Sequence, residues 1–509
     1  MTSRFPLQGI DSLRLLARAA LVAVLTVLPY TPAIPADGVW LSGQTGTRDW
    51  SDPAIWASGI IPGAITGSTN PDTATFGSNT GATLITVDAG RVLRSLLFNG
   101  TDPLGLYTIG SAGANGGEAL RLSSGGSLTV ALGTLTTTTI HAPLILEAAS
   151  PTTDGTYTIT NNSTNVANNA TDTNLYKLNV LGNISGGTTT GSITLNFTGT
   201  AGNRSSDASA NLVSGLLSDG GATGGLFVTV TGSDSGNRGA WSFTNNNNSY
   251  TGSTTLTNGT LLFSSIADSG VNSAIGAGSL LQLNTGAQAK YLGGNASSNR
   301  TILSNGGTLY AAGSGNLTLN GTFTLNGGIT FRGGRNIFID SVVTGTGNMT
   351  RTDSGTVFLN QINTFTGNLS ISDGAFRFAS IADKSVNSPI GNGTTISLGQ
   401  NSSTVGRIEF TGAGGGSSNR DFVLNNGNGV SSGNGRIDNT VAGQTLALSG
   451  TVRSSSTTAS HVSSLNLTGA GDGIMSGVIG GTTASPSTPN NMTLTKNGAG
   501  TWLLSNANL

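Results

Sequence analysis

One segment of this chain occurs twice almost intact and begins a third time. Residues 239–263 and 355–378 share a pattern, and residues 500–509 open in the same way. Each full copy leads into a near-identical stretch, at 265–276 and 380–391, and these stretches start 380 − 265 = 115 residues apart. A repeated unit of this length buries its apolar side by stacking on a neighbour. The repeat therefore predicts a stacked architecture. Because the third copy breaks off, it also predicts that the sequence is a fragment.

The composition favours strands and turns over helices. Glycine contributes 78 of the 509 residues and only 9% of residues are charged, whereas about a quarter is usual in globular chains. Thr, Val, Ile and Phe are separated by turn-forming Gly, Asn and Asp. Disorder is the alternative for such a composition, but a net charge of −1 and 36% hydrophobic residues argue against it. The low charge also argues against a polyanion-binding surface, so we expect no nucleic acid partner.

The first 36 residues are typical of a secretory signal peptide. An apolar run at residues 19–28 is too short to span a bilayer as a permanent helix and ends in a proline-rich exit. The basic residues before it are Arg4, Arg14 and Arg18. We expect cleavage after Ala33 or Ala36, with an uncleaved N-terminal anchor as the alternative. The signal implies a partner in the export machinery. No later segment of the sequence resembles a membrane span, so we expect no transmembrane span in the mature region.

Period-two alternation is the clearest local signal after residue 36. Residues 317–325 place Leu317, Leu319, Phe323 and Leu325 on one side, and Gly321 marks a bend. The copies begin 355 − 239 = 116 and 500 − 355 = 145 residues apart, so each unit must contain several coils of about 20 residues. A solenoid absorbs such unequal spacing as loops or an extra coil, whereas a closed barrel does not.

The sequence thus predicts an all-β fold, a right-handed parallel β-helix (β-solenoid) preceded by a signal peptide and an N-terminal capping segment. The segments are residues 1–36 (signal peptide), 37–100 (Trp-containing cap and first coils), 101–237 (coils), 238–354 (coils with the first copy), 355–498 (coils with the second copy) and 499–509 (truncated third copy).

Three tryptophans, Trp40, Trp50 and Trp56, lie near the start of the predicted solenoid. Clustered indole rings can form a carbohydrate-stacking platform. Alternatively, they plug the open end of the stack, because a terminal coil otherwise exposes its apolar interior. We favour the capping role.

The two full copies share an internal order of parts. Inward residues such as Trp241 and Phe243 come first, and an Asn-rich turn and an aromatic-Thr-Gly step follow, at residues 250–252 and 365–367. Asn tolerates left-handed backbone at coil corners and can pair its amide with the Asn of the next coil. We expect the recurring aromatics to stack in the interior.

This order of residues resembles the autotransporter-associated β-strand repeat of bacterial passenger domains. The N-terminal stretch with three Trp, Ile61-Pro62-Gly63 and DTATF at 72–76 is similar to the start of such proteins. The resemblance implies an exported β-helical passenger of a Gram-negative bacterium, at the cell surface and outer membrane or outside the cell. Such proteins often end in a membrane β-barrel translocator or another sorting signal, and this sequence has neither.

The alternative class is an enzyme, since many carbohydrate-cleaving enzymes are parallel β-helices. Their chemistry needs paired carboxylates or a basic residue beside Ca²⁺, and the acidic residues here are scattered singly. His141 and His461 are far apart, and cysteine is absent. One Gly/Asp turn at 469–473 faintly resembles a Ca²⁺-binding turn. We therefore predict no catalytic, cofactor-binding or metal-binding residues and no cofactor.

Ser-Asn-Arg occurs twice before a short strand, at 298–300 and 418–420. Arg300 and Arg420 could form a row that faces a ligand. We favour a structural role, in which each guanidinium bonds neighbouring carbonyl groups at a corner.

Three functions remain open. We favour an exported, adhesin-like passenger with a structural or adhesive role, whose ligand is on a host or cell surface or is a polysaccharide. The second is a polysaccharide-acting β-helix, a lyase or glycosidase whose site is unrecognised or beyond the C-terminus. The third is an extracellular matrix or sheath component.

Overall fold

The computed structural model of the protein describes residues 35–101, 105–113, 117–134, 137–163, 176–202, 207–232, 239–401, 403–425, 433–455, 462–482 and 492–506. The predicted signal peptide lies almost wholly outside these residues and stays a prediction. Residues 35–509 form one compact unit. In its described part the strands form sheets of 31, 9 and 4 members, and no helix is long and apolar enough to cross a membrane.

Each coil of this unit has three faces. Strand Thr73–Phe76 lies on the first face, Thr83–Thr86 on the second, and the first half of Arg91–Phe98 on the third. The second half of Arg91–Phe98 then returns to the first face and pairs in parallel with Thr73–Phe76. Successive coils repeat this path, and every pairing between named strands is parallel. The predicted parallel β-helix is therefore confirmed.

The strands of the first face are Gly38–Val39, Thr73–Phe76, Gly155–Asn161, Ile193–Gly199, Leu226–Thr231, Leu280–Asn284, Thr301–Asn305, Phe323–Leu325, Val343–Gly345, Gly416–Ser418, Thr445–Leu448, Asp472–Met475 and Trp502–Leu504. Those of the second face are Gly46–Asp49, Thr83–Thr86, Tyr107–Ile109, Thr138–Ile140, Leu178–Val180, Asn211–Val213, Ala240–Phe243, Ala287–Tyr291, Thr308–Ala311, Ile329–Arg332, Met349–Arg351, Leu369–Ile371, Thr395–Leu398, Asp421–Leu424, Val452–Ser454 and Ile479–Thr482.

The strands of the third face are Leu144–Leu146, Ile184–Gly186, Leu217–Ser218, Ala296–Ser298, Leu317–Leu319, Ile337–Ile339, Thr356–Leu359, Gly374–Phe378, Gly406–Phe410, Asn434–Asn439, Ser463–Thr468 and Met492–Lys496. Three long strands bend from one face to the next: Arg91–Phe98, Leu120–Val130 and Thr254–Phe263. Short 3-10 helices occupy Pro53–Ile55, Ala57–Gly59 and Asp207–Ser209.

Coil length varies along the solenoid. In the middle of the chain Thr324 pairs with Thr344, which lies 20 residues further on. This spacing confirms the coil length that the sequence predicts. The expectation is wrong for earlier coils, where Asp154 Oδ1 accepts the N–H of Ser192, 38 residues further along the chain, at the start of two paired strands. Longer connections between strands make up the difference.

The core is a continuous apolar column filled by the inward residue of each alternating pair. Leu317, Leu319, Phe323 and Leu325 are buried, as the alternation predicts. Trp40, Trp50 and Trp56 are buried too, and all three rings pack against Phe76. A carbohydrate platform needs exposed ring faces, so these tryptophans act as core residues of the first coils.

Glycine is required where consecutive coils approach most closely. A Cβ atom on Gly347 would lie 1.7 Å from the carbonyl oxygen of Gly327, and one on Gly367 would lie 2.0 Å from that of Gly347. The same close approach recurs at Gly393, which lies above Gly367 in the next coil. No other residue fits such a corner unless the coils separate.

The copies of the repeat begin on different faces. The opening strand of the first copy, Ala240–Phe243, lies on the second face, and that of the second copy, Thr356–Leu359, lies on the third. The strand that opens the third copy, Trp502–Leu504, lies on the first face. Each copy therefore starts one face further round the coil than the copy before it.

Each full copy also interrupts the ladder of one face. The first repeat loop, residues 265–277, breaks the third face, and the nine-stranded sheet begins after it at Ala296–Ser298. The second repeat loop, residues 380–392, breaks the first face, and the four-stranded sheet begins after it at Gly416–Ser418. The repeat is thus the element that divides the strands into separate sheets.

Asn248 and Asn363 join three coils at matching places in the two copies. The Leu217 N–H donates to Asn248 Oδ1 at 2.8 Å, and Asn248 Nδ2 donates to the Ala274 carbonyl at 2.8 Å. Asn363 does the same between the Val343 N–H and the carbonyl of Pro389. The expected amide-to-amide pairing is therefore wrong here, because each carboxamide satisfies backbone groups that the turning chain leaves unpaired.

A polar pair in the first copy becomes an apolar pair in the second. The hydroxyls of Tyr250 and Thr254 lie 2.7 Å apart in the core. The equivalent residues, 115 positions later, are Phe365 and Leu369, and both are buried. Because both members change together, neither copy leaves an unpaired hydroxyl in this part of the core.

We expect Gly347→Ala to lower the free energy of unfolding by about 2–3 kcal/mol, because the new methyl group would push two coils apart. Gly334→Ala is the matched control, since its Cβ would meet nothing closer than Ser354 Oγ at 3.6 Å. Urea unfolding followed by circular dichroism measures both variants. Equal stability of the two would contradict the close approach described at Gly347.

Tyr250→Phe tests the buried hydroxyl. Burial raises the pKa of Tyr250, while the hydrogen bond to Thr254 and the charge of Arg300 act against the rise. The pKa of Tyr250 is higher in the folded chain than in the unfolded chain, so the unfolded chain loses the phenol proton first as the pH rises. The stabilisation by the protonated Tyr250 hydroxyl is therefore complete below about pH 10 and is lost as the pH rises above it. We expect Tyr250→Phe to lower the free energy of unfolding by about 1 kcal/mol at neutral pH. In alkali the variant should lose less stability than the wild type does.

Unfolding in urea at neutral pH and at about pH 11 measures this difference. The control adds Thr254→Leu, which recreates the pair of the second copy and should restore the neutral-pH stability. An identical alkaline loss in wild type and Tyr250→Phe would show that this hydroxyl is not protected by folding.

Candidate ligand-binding face

A row of outward-facing side chains crosses the strands of the third face. These residues alternate with inward neighbours in each strand, and successive coils hold them in register. In order along the solenoid they are Ser297, Thr318, Phe338, Phe358, Arg377, Glu409, Asp438 and Thr468. We call this set the outer row.

The middle of the outer row is an aromatic stack. The rings of Phe338 and Phe358 lie 4.3 Å apart and are nearly parallel, at 23°. The guanidinium carbon of Arg377 lies 4.9 Å from the Phe358 ring centre on the next coil. Arg377 and Phe338 therefore cover the two faces of Phe358, while Phe338 is covered on one face by Phe358.

The later part of the outer row is ionic. Glu409 bridges two arginines, with Arg377 and Arg407 each 2.6 Å from one of its oxygens. Arg436 forms a similar ion pair of 2.6 Å with Asp438 and also donates to Thr468 Oγ1. The charged groups of this part of the row therefore satisfy one another.

The early part of the outer row is a cleft. Ser297 and Thr318 have short side chains, so a space of about 410 Å³ opens beside Phe338. Its walls are Asn295, Ala296, Ser297, Asn316, Thr318 and Phe338. None of these six side chains carries a charge, and the polar groups among them are carboxamides and hydroxyls.

The carboxamides of the cleft are fixed by the coil ladder. The backbone N–H of Asn316 donates to Asn295 Oδ1 at 2.8 Å, and that of Asn336 donates to Asn316 Oδ1 at 3.1 Å. Because each oxygen accepts a backbone proton, each Nδ2 is the end of the amide that remains for another partner. The wall of the cleft therefore presents ordered N–H donors next to hydroxyls.

A second cleft, of about 330 Å³, contains an ion pair. Arg121 donates to Glu147 at 2.6 and 2.8 Å, and Glu147 is 5% exposed. Glu147 is the one carboxylate among the residues that line this cleft. Glycoside hydrolysis ordinarily uses two carboxylates on opposite sides of the bond, so this geometry supplies one half of that arrangement.

Arg300 and Arg420 do not face a ligand, because both are 1% exposed. Each guanidinium lies inside a repeat loop of the preceding coil. Arg300 donates to carbonyl oxygens of Ala267, Val271, Ile275, Gly276 and Gly278, and Arg420 donates to those of Ala382, Asp383, Val386, Gly391 and Gly393. The structural interpretation of the Ser-Asn-Arg motif is thus confirmed.

Desolvation by burial has the largest effect on the pKa of these two guanidinium groups. It lowers the pKa of Arg300, against the attraction of Tyr250 and Asp268, and lowers that of Arg420 to about 10, against the attraction of Asp383. A buried cation without these carbonyl partners would be strongly unfavourable. The loops and the arginines therefore depend on one another.

Arg351 is another buried arginine, which was not expected from the sequence. Arg351 points inward from Met349–Arg351 and donates to the carbonyls of Gly333 and Gly355. Burial lowers its pKa to about 10, with the nearby Asp353 acting in the opposite direction. The period-two alternation of this strand could have identified Arg351 as inward-facing, because Met349 is inward and Arg351 follows it by two residues.

The remaining residues that the sequence singled out have local roles or lie outside the described residues. Asp472, in the Gly/Asp turn, accepts the backbone N–H of Thr501 at 2.7 Å. His141 is partly exposed at a corner, and His461 lies outside the described residues. Within the part of the chain that is described, no group of three or more His, Cys, Asp or Glu side chains could hold a metal ion.

We expect Arg300→Gln and Arg420→Gln each to lower the free energy of unfolding by about 3 kcal/mol, because several loop carbonyls would lose their donor. Arg335→Gln is the control, since Arg335 is exposed and donates one bond, to Gly313. Urea unfolding and limited proteolysis of the repeat loops measure the effect. Unchanged stability together with lost cell adhesion would instead favour the ligand-facing interpretation.

The chain matches no protein-family model, no curated protein and no solved structure. The resemblance to the autotransporter-associated β-strand repeat therefore rests on the residues of the copies and of the N-terminal stretch.

Proposed function

We propose that the protein is an exported, non-catalytic passenger-type scaffold with an adhesive or structural role at the surface of, or outside, a Gram-negative bacterium. The observation that carries this proposal is the stack of parallel coils, whose described strands run from Gly38–Val39 to Trp502–Leu504. In such a ladder each coil contacts its neighbours, so length can be added without redesigning the rest. A scaffold of this kind projects its outer faces away from its point of attachment.

The surface chemistry supports the same proposal. The outward side chains of the third face form a neutral, hydroxyl- and amide-lined cleft, a stacked aromatic pair and internally neutralised ion pairs. Such a surface suits contact with an uncharged partner. Export is supported by the N-terminal sequence, in which basic residues precede a short apolar run as they do in a secretory signal peptide.

The second candidate is a polysaccharide-acting enzyme. The specific observation in its favour is the buried Glu147 beside Arg121, in a cleft that is open to solvent. A single carboxylate held by an arginine is a weaker arrangement than a separated pair. We therefore prefer the scaffold.

Export is tested with the full chain, tagged at its C-terminus, in its source bacterium or in a Gram-negative host. We expect the protein in the surface or extracellular fraction, with a mature N-terminus at Asp37 or Ile34 by mass spectrometry. Val24→Arg should keep the precursor inside the cell, because a charge interrupts the apolar run. Thr26→Ser is the matched control.

An unprocessed protein that stays inside the cell would contradict the proposal. So would polysaccharide cleavage by the purified chain that is lost in Glu147→Gln, and this result would favour the enzyme. The remaining distinction, between an adhesive and a structural role, is measured by whole-cell adhesion with and without the gene.

A further inference from the structure

The ring of Phe338 differs from the other outward-facing aromatics that stack along a face. On the second face, Tyr310 lies between the ammonium of Lys290, at 5.2 Å, and the guanidinium of Arg332, at 5.3 Å. On the third face, Phe358 lies between Phe338 and Arg377. Phe338 has a ring partner on one side and the short side chain of Thr318 on the other. Its second ring face therefore borders the cleft.

An exposed aromatic face sets what can bind there. The face of the ring carries negative charge density and attracts weakly positive hydrogen atoms. The C–H bonds on one side of a pyranose ring are such atoms, and the hydroxyls at the rim of the same sugar need hydrogen-bonding partners. A purely aliphatic ligand would satisfy the ring and leave the polar walls unpaired.

The walls of the cleft match those rim hydroxyls. The Nδ2 groups of Asn295 and Asn316 are donors whose orientation is fixed by the coil ladder, and Ser297 and Thr318 both donate and accept. The absence of charge among the six lining residues favours an uncharged ligand over an acidic sugar or a phosphate. The volume of about 410 Å³ falls in the range of small-ligand sites.

We propose that this cleft binds a neutral pyranose unit of a polysaccharide, with the sugar ring on Phe338 and its hydroxyls on Asn295, Asn316, Ser297 and Thr318. The inference rests on the proposed function, because it names the ligand class of an adhesive scaffold. The side chains that fix the site belong to consecutive coils, so the cleft is rigid before the ligand arrives.

Two substitutions test the cleft in opposite ways. Phe338→Ala removes the stacking surface. Thr318→Phe extends the aromatic stack by one coil and fills the space, so it should block the site without loosening the fold. Thr330→Phe is the matched control, because Thr330 faces outward on the second face.

The probes are hexasaccharides of glucose (α- and β-linked) and of mannose, with an oligogalacturonate as the acidic counterpart. They are titrated calorimetrically into the purified mature chain. We expect at least one neutral hexasaccharide to bind and the oligogalacturonate to bind at least tenfold more weakly. Affinity should fall at least tenfold in Phe338→Ala and in Thr318→Phe and stay within twofold in Thr330→Phe, with the thermal midpoint of Thr318→Phe not lowered.

The inference is overturned if no neutral hexasaccharide binds, if the acidic one binds best, or if Thr318→Phe binds as wild type does. Its failure can be told apart from failure of the proposed function. Cells that display Thr318→Phe and still adhere would place adhesion elsewhere on the scaffold. A chain that is not exported at all would remove the proposed function whatever the sugar titrations show.

Discussion

The in-register hydrogen bonding between coils governs the rest of the structure. Parallel strands lie about 4.8 Å apart, so a side chain in an in-register pair of strands lies directly above its counterpart in the coil below. A side chain at an inward position must therefore fit against its counterparts in the coils above and below as well as against the rest of the core. Apolar side chains meet that condition along most of the column, and glycine meets it where the backbones nearly touch, as at Gly327, Gly347 and Gly367.

The repeat acts within this ladder as a controlled interruption. Each copy inserts a loop into one face and supplies Asn248 or Asn363 to join the coils around it. The next coil then fills the loop with the guanidinium of Arg300 or Arg420. Since each copy starts one face further round, successive interruptions fall on different faces, and the loops project at different angles about the axis of the coils.

The sequence predicts the local features of the fold well. Alternation identifies the inward residues, and Gly and Asn identify the bends, because both signals depend on neighbours along the chain. The register between coils is not local. The loop acceptors recur at a spacing of 382 − 267 = 115 residues, whereas the arginines that reach them are 420 − 300 = 120 residues apart, so their pairing cannot be read from the repeat.

The candidate site was missed for the same reason. Phe338 and Phe358 each stand between two inward residues, which marks them as outward-facing. That they stack follows only from the length of the coil between them, which places the two residues opposite each other in adjacent strands. The cleft beside them depends further on the short side chains of the two preceding coils.

The rotation of the copies is the central claim of this account, and cysteine cross-linking tests it most directly because the chain contains no cysteine. On the third face, Phe338→Cys and Phe358→Cys occupy paired positions, about 4.8 Å apart, and should form a disulfide under mild oxidation. Thr350→Cys lies on the second face, so its combination with Phe358→Cys should remain reduced. Cross-linking of the 350/358 pair but not of the 338/358 pair would place the second copy on the second face and contradict the account.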